Sequence, residues 1–159
     1  MNPSSVRVRL VTPAPGAGTR RPRFADGGPF VLHTGLWAGR TLEEVAAEDP
    51  AAVRRWLTDP AYAPPGGESV EALAARAGSW LAGLGPGTHR VTADQAFTRA
   101  ALVAALELPL PVFWRLDVRP GTETTLTGRS GRWNLVVGTP AHDPDPDPDP
   151  SPAPDPGSA

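Results

Sequence analysis

Three histidines, one arginine cluster and a serine behind a glycine pair are the residues whose types could carry chemistry in this chain. His33, His89 and His142 stand far apart. None has a second ligand at helical or hairpin metal spacing, so no metal and no other cofactor is expected. Cysteine is absent, which removes disulfides, thiolate zinc sites, iron–sulfur clusters and cysteine nucleophiles. Ser69 follows Gly66-Gly67-Glu68, not the Gly-x-Ser-x-Gly elbow that exposes a hydrolase nucleophile. Its place ahead of an apolar run is that of a helix cap. Arg20, Arg21 and Arg23 form the densest basic cluster. A solvated loop accounts for them, and phosphate binding there needs a further argument.

Charge divides the chain in two. All 15 basic residues are arginine, and they lie between Arg7 and Arg132. Residues 141–159 carry Asp143, Asp145, Asp147, Asp149 and Asp155 with no base. The body is weakly positive and no stretch interleaves arginine with aromatics, so nucleic acid is not an expected partner. No apolar run reaches membrane length, and Met1-Asn2-Pro3-Ser4-Ser5 lacks a basic-then-apolar start, so no membrane contact and a cytoplasmic location are expected. A length of 159 residues, 40% of them hydrophobic, suits one domain.

The elements that must position these residues alternate. Val6, Val8 and Leu10 alternate with Arg7 and Arg9 as a strand, which Pro13 and Pro15 end. Residues 12–30 read as loop. Thr41 and Glu44 make a capping box, and Asp49 with Pro50 starts a second helix bearing Val53, Trp56 and Leu57. Ser69 caps a third, with Val70, Leu73, Ala74, Ala77, Leu81 and Leu84 at spacings of three and four. After Gly85-Pro86-Gly87, residues 88–93 form a strand, and Asp94 caps a largely apolar helix to about Leu106. Two strands around 123–127 and 133–137 close the body through a turn at Arg129-Ser130-Gly131. The alternating Asp-Pro tail can form neither helix nor ladder. A solvated, polyproline-like extension that aids solubility is the expectation. The fold class is α/β, a mixed-sheet sandwich with helices on both faces.

Several ordered segments resemble the histidine phosphatase superfamily, in its phosphoglycerate-mutase-like branch. Gly35 with Leu36-Trp37-Ala38-Gly39 is similar to that family's Gly-x-Trp-x-Gly segment. Trp56-Leu57-Thr58-Asp59-Pro60 and Pro65-Gly66-Gly67-Glu68-Ser69 are similar to two more of its signatures, with Arg76 at its usual place in the next helix. Phe113-Trp114-Arg115-Leu116-Asp117 and Gly131-Arg132-Trp133-Asn134-Leu135 resemble the closing segments of actinobacterial members. The resemblance implies a domain over 1–138, shortened between 25 and 35, and a disordered tail over 139–159.

The catalytic positions depart from the family. Pro13 stands where the resemblance places the phosphate-accepting histidine, Asp94 where it places the second histidine, and Val31 where it places the general acid. The ten residues 25–34 cannot hold the helix, strand and arginine segment usual there. Proline offers no nucleophile. The expected function is therefore that of a catalytically inactive family member with a binding or interaction role. The alternative is a phosphomonoester phosphatase or mutase acting on a small phosphorylated metabolite through substitute residues. Thr12, Thr19, Arg23 and Asp94 are the candidate residual anion site, and a phosphorylated small molecule is the candidate ligand. No residue is assigned as catalytic. The shortened sheet predicts an uncovered apolar patch around Trp37, Trp56 and Leu57 or an unpaired first strand, hence self-association or a protein partner. In the other case, residues 25–36 fold back over the gap.

Overall fold

The computed structural model describes residues 4–16, 23–25 and 27–138. Thr19, Arg20, Arg21, His142 and the Asp-Pro tail lie outside the described residues. The alternation of Val6, Val8 and Leu10 with arginines forms strand β1 (Ser5–Thr12). The helices α1 (Leu42–Glu48), α2 (Pro50–Thr58), α3 (Val70–Ala82) and α4 (Gln95–Ala105) begin at the expected caps. Thr41 and Glu44 satisfy each other's backbone N–H groups, and Asp49, Ser69 and Asp94 each accept from a backbone N–H three residues on. Strands β2 (Gly87–Thr92), β3 (Thr122–Arg129) and β4 (Arg132–Val136) complete a mixed sheet in the order β2-β1-β3-β4. β1 pairs with β2 in parallel and with β3 antiparallel. The β3–β4 turn has positive φ at Ser130 as well as Gly131.

One core lies against one face of the sheet. Val8 and Leu10 of β1 and Leu126 of β3 join Leu73 and Ala77 of α3 and Phe97, Ala100 and Ala101 of α4 in a single buried cluster. α4 is buried on nearly every side, as its composition requires. The opposite face, with Arg7, Thr88, Arg90, Thr92 and Asn134, is exposed. The expected α/β fold class holds. The expected cover of helices on both faces is not found: among the described residues the helices pack on one face and the other is left to solvent.

The first strand is not an edge, since β2 and β3 flank it. Trp37 and Trp56 are likewise not left bare, correcting that expectation. Both are buried in an edge-to-face cluster with Phe24 and Trp114, a favoured aromatic geometry. Among the described residues, Leu36, Leu42 and Leu57 remain exposed in that region. The described part of the stretch 25–36 turns Phe30 and Leu32 onto the core. No helix among the described residues is long and apolar enough to cross a membrane.

Gly128 sits opposite Trp133 across the β3–β4 pair. A Cβ there would meet the indole ring at 2.6 Å. Gly128→Ala should therefore destabilise the protein by about 2 kcal/mol through overpacking, measured as a lowered urea midpoint at unchanged m-value.

Candidate functional site

The segment 29–33 is held by side chains from two helices and one loop. Glu68 accepts from Arg76 Nε at 3.2 Å and Nη2 at 2.6 Å, a two-point pair. It also accepts from the backbone N–H of His33 at 3.0 Å. Arg76 then donates to the carbonyls of Pro29 and Val31, each at 2.6 Å. From the other side, Asp94 Oδ2 accepts from Leu32 N–H at 3.1 Å, and Asp94 N–H donates to Phe30 O at 3.0 Å. Phe30 packs edge-on against Trp80 and Phe97, and Leu32 is buried.

The two glycine motifs meet backbone to backbone. A Cβ on Gly35, whose φ is +57°, would lie 2.1 Å from Pro65 O, and one on Gly67 would lie 2.6 Å from His33 O. Only glycine permits this approach. It lets Leu36 N–H reach Pro65 O and Glu68 N–H reach His33 O, so the motif that carries Glu68 is seated directly on the segment it binds.

Beside this segment a cavity of about 310 Å³ opens between the loop 23–34, α2 and the start of α4. Its wall is largely apolar, with Phe24, Leu32, Leu57, Trp56 and Trp114, and its polar groups are Arg23, Thr34, Asp94, Gln95 and Arg99. Two of the four anion-site candidates, Arg23 and Asp94, thus come together here. Thr12 is not on the described wall. It ends β1, 3% exposed, and its hydroxyl has no partner among the described residues. Thr19 lies outside the described residues. Arg99 and the two tryptophans were not among the candidates. Nothing local in the sequence distinguishes a wall tryptophan from a core one.

The cavity's charges are largely engaged. Arg23 donates to Gly39 O at 2.9 Å and pairs with Glu44 at 3.6 Å, both in solvent. Arg99 donates its Nε to Leu116 O at 2.7 Å. Burial lowers its pKa, against the opposing charges of Asp117 and Asp94, though a guanidinium stays protonated regardless. Asp94 accepts from Phe97 N–H at 2.6 Å as well as from Leu32 N–H. Burial raises its pKa above 3.8 despite these two hydrogen bonds and the nearby Arg76 and Arg99. His33 and His89 are not on the wall. Each has its Nε2 on a backbone carbonyl, of Gly28 at 2.8 Å and of Gly85 at 2.7 Å. No histidine, serine or cysteine lines the cavity among the described residues.

Residues 32–139, more than half of the chain, match the family model described as histidine phosphatase superfamily, branch 1. This protein belongs to that superfamily. A 37-residue stretch is 51% identical to the bifunctional protein Rv2228c of Mycobacterium tuberculosis, taking in 23% of this chain. That match spans about 10% of the relative's length. Among solved structures, the mycobacterial glucosyl-3-phosphoglycerate phosphatase Rv2419c in its VO3 complex is 32% identical, with a TM-score of 0.57 over 67% of this chain and 58% of that one. Bacillus stearothermophilus YhfR is 16% identical and shares the fold, with a TM-score of 0.65 over 83% of this chain and 96% of that one. Within this superfamily member, the position expected for the phosphate-accepting histidine is an exposed proline, Pro13. Val31, where the sequence resemblance places the general acid, contributes its carbonyl to Arg76.

Two measurements probe this arrangement. Arg76→Ala leaves Glu68, 15% exposed, without its cation and frees two carbonyls. It should cost roughly 3 kcal/mol, the lower end for breaking a largely buried pair, and should be strongly non-additive with Glu68→Ala in a double-mutant cycle. The raised pKa of Asp94 means that the native state holds a proton the unfolded chain has lost just above pH 3.8. Its contribution to stability is thus greatest below pH 3.8 and falls as pH rises through the folded pKa. The difference in unfolding free energy between the native chain and Asp94→Asn, followed from pH 3 upward in urea titrations, should shift against the native chain across that window.

Proposed function

We propose that this superfamily member does not turn over phosphomonoesters and instead binds a small phosphorylated molecule in the cavity beside Asp94. The observation that carries the reading is how the described wall is engaged: no histidine stands on it, Asp94 accepts from two backbone N–H groups, and the Thr34 hydroxyl donates to Ala25 O. Phosphoryl transfer in this fold needs a nucleophile and unspent cations around the three phosphoryl oxygens. Here Arg76 is consumed by Glu68 and two carbonyls. A ligand would place its anionic group towards Arg23 and Arg99 and its body against Trp56, Trp114 and Leu57. Asp94 disfavours a dianion close by, and its raised pKa lessens that repulsion only at low pH. Catalysis by substitute residues is the second reading, favoured by the 32% identity to a mycobacterial phosphatase.

The purified protein should show no hydrolysis of p-nitrophenyl phosphate, with or without divalent metal. Phenyl phosphate should change the fluorescence of the cavity tryptophans at saturable concentration, and Arg99→Ala should weaken that binding about tenfold, the loss of one charge-assisted contact. Turnover abolished by Asp94→Ala or Thr12→Ala would establish the phosphatase reading. Absence of any saturable fluorescence change would remove the cavity as a phosphate-ligand site.

A further inference from the structure

The register of the sheet places five arginines on its open face. Arg7 and Arg9 of β1 project from that face, opposite Thr88 and Arg90 of β2 and opposite Thr127 and Thr125 of β3. Arg129 stands opposite Ser5 on the same side, with Arg132 across from it on β4. The face's one acid in these pairings is Glu123, opposite Val11, and it lies 3.6 Å from Arg90. Arg7, Arg9 and Arg132 have no ion-pair partner among the described residues. The pair Arg9–Arg90 sets like charges directly across neighbouring strands, an arrangement that is unfavourable unless an anion relieves it. Arg90 is 67% exposed, so the charge is accessible.

Beyond Glu123, the same chain carries a larger set of carboxylates in its tail. Asp143, Asp145, Asp147 and Asp149 follow β4 in a run with no base and no apolar side chain. Asp143 is seven residues beyond Val136, the end of β4. Seven residues at ~3.1 Å each reach roughly 22 Å, whereas three strand spacings from β4 to β2 amount to about 14 Å. Tethering at this distance gives an effective concentration of about millimolar, enough for a weak electrostatic contact to be populated. The prolines restrict the tail before it docks, which lowers the ordering cost. We propose that the Asp-Pro run 143–150 docks in cis across the arginine face of the sheet, centred on Arg7, Arg9 and Arg90. The solubility extension read from composition is then also an electrostatic cover for the face that carries no helix.

The absence of cysteine makes a direct test available in the full chain. A nitroxide placed at Ser151→Cys should broaden the amide resonances of β1 and β2 at low ionic strength. The broadening should fall at least about fivefold at roughly 0.5 M salt, where screening confines exposed charges to a few ångströms. It should fall equally in Arg7→Gln/Arg9→Gln and in the variant with all five tail aspartates changed to asparagine, which leaves the body untouched. Broadening that is absent, or that survives salt and both sets of substitutions, would overturn the proposal. So would broadening seen only between molecules, when spin-labelled unenriched protein is mixed with unlabelled ¹⁵N protein. That result would assign the contact to a second copy.

Discussion

The pairing of Glu68 with Arg76 is the constraint on which the rest of the structure depends. A chain of this fold with only ten residues between Phe24 and Gly35 must cover the end of its sheet with irregular backbone, and irregular backbone carries polar groups that need partners when buried. Arg76 takes two of its carbonyls and Glu68 takes one N–H, while Asp94 takes another from the opposite side. With those groups satisfied, Phe30 and Leu32 can turn inward onto Trp80 and Phe97. Without them the segment would have to remain solvated and the aromatic core beneath it would be wet.

The same solution decides the character of the cavity. Several polar side chains of this region hold the chain. Arg76 faces carbonyl oxygens, Arg99 is bound to Leu116 O, and Asp94 is a cap and a clamp at once. The space that remains is lined chiefly by tryptophan and leucine, with cations at its rim.

A one-sided core has a second consequence. The face of the sheet without helices is solvated by arginine and threonine, residue types that keep it soluble, and its edge strand β2 carries Arg90 and exposed threonines. Charge on an edge strand discourages pairing with another chain. The face without helices is thus polar along most of its described length, with Val136 its exposed large apolar side chain.

Local elements were legible in the sequence because their determinants lie within a few residues of one another. Thr41 reaches Glu44, Asp49 reaches Ala52 and Ser69 reaches Ala72, so caps and apolar spacing define four helices. Period-two alternation likewise defines β1, and the ordered glycine and tryptophan motifs carry the family. What those motifs do was decided only by tertiary structure. Gly35 and Gly67 are required because distant backbones touch, and Arg76 and Asp94 act on carbonyls and amides 45 and 62 residues away. The sharing of one face by Arg7, Arg9 and Arg90 depends on strand register, which pairs residues far apart in the chain. Capping and alternation are short-range effects that a sequence displays; clamps, cavities and charged faces arise from contacts between segments whose separation the chain alone does not reveal.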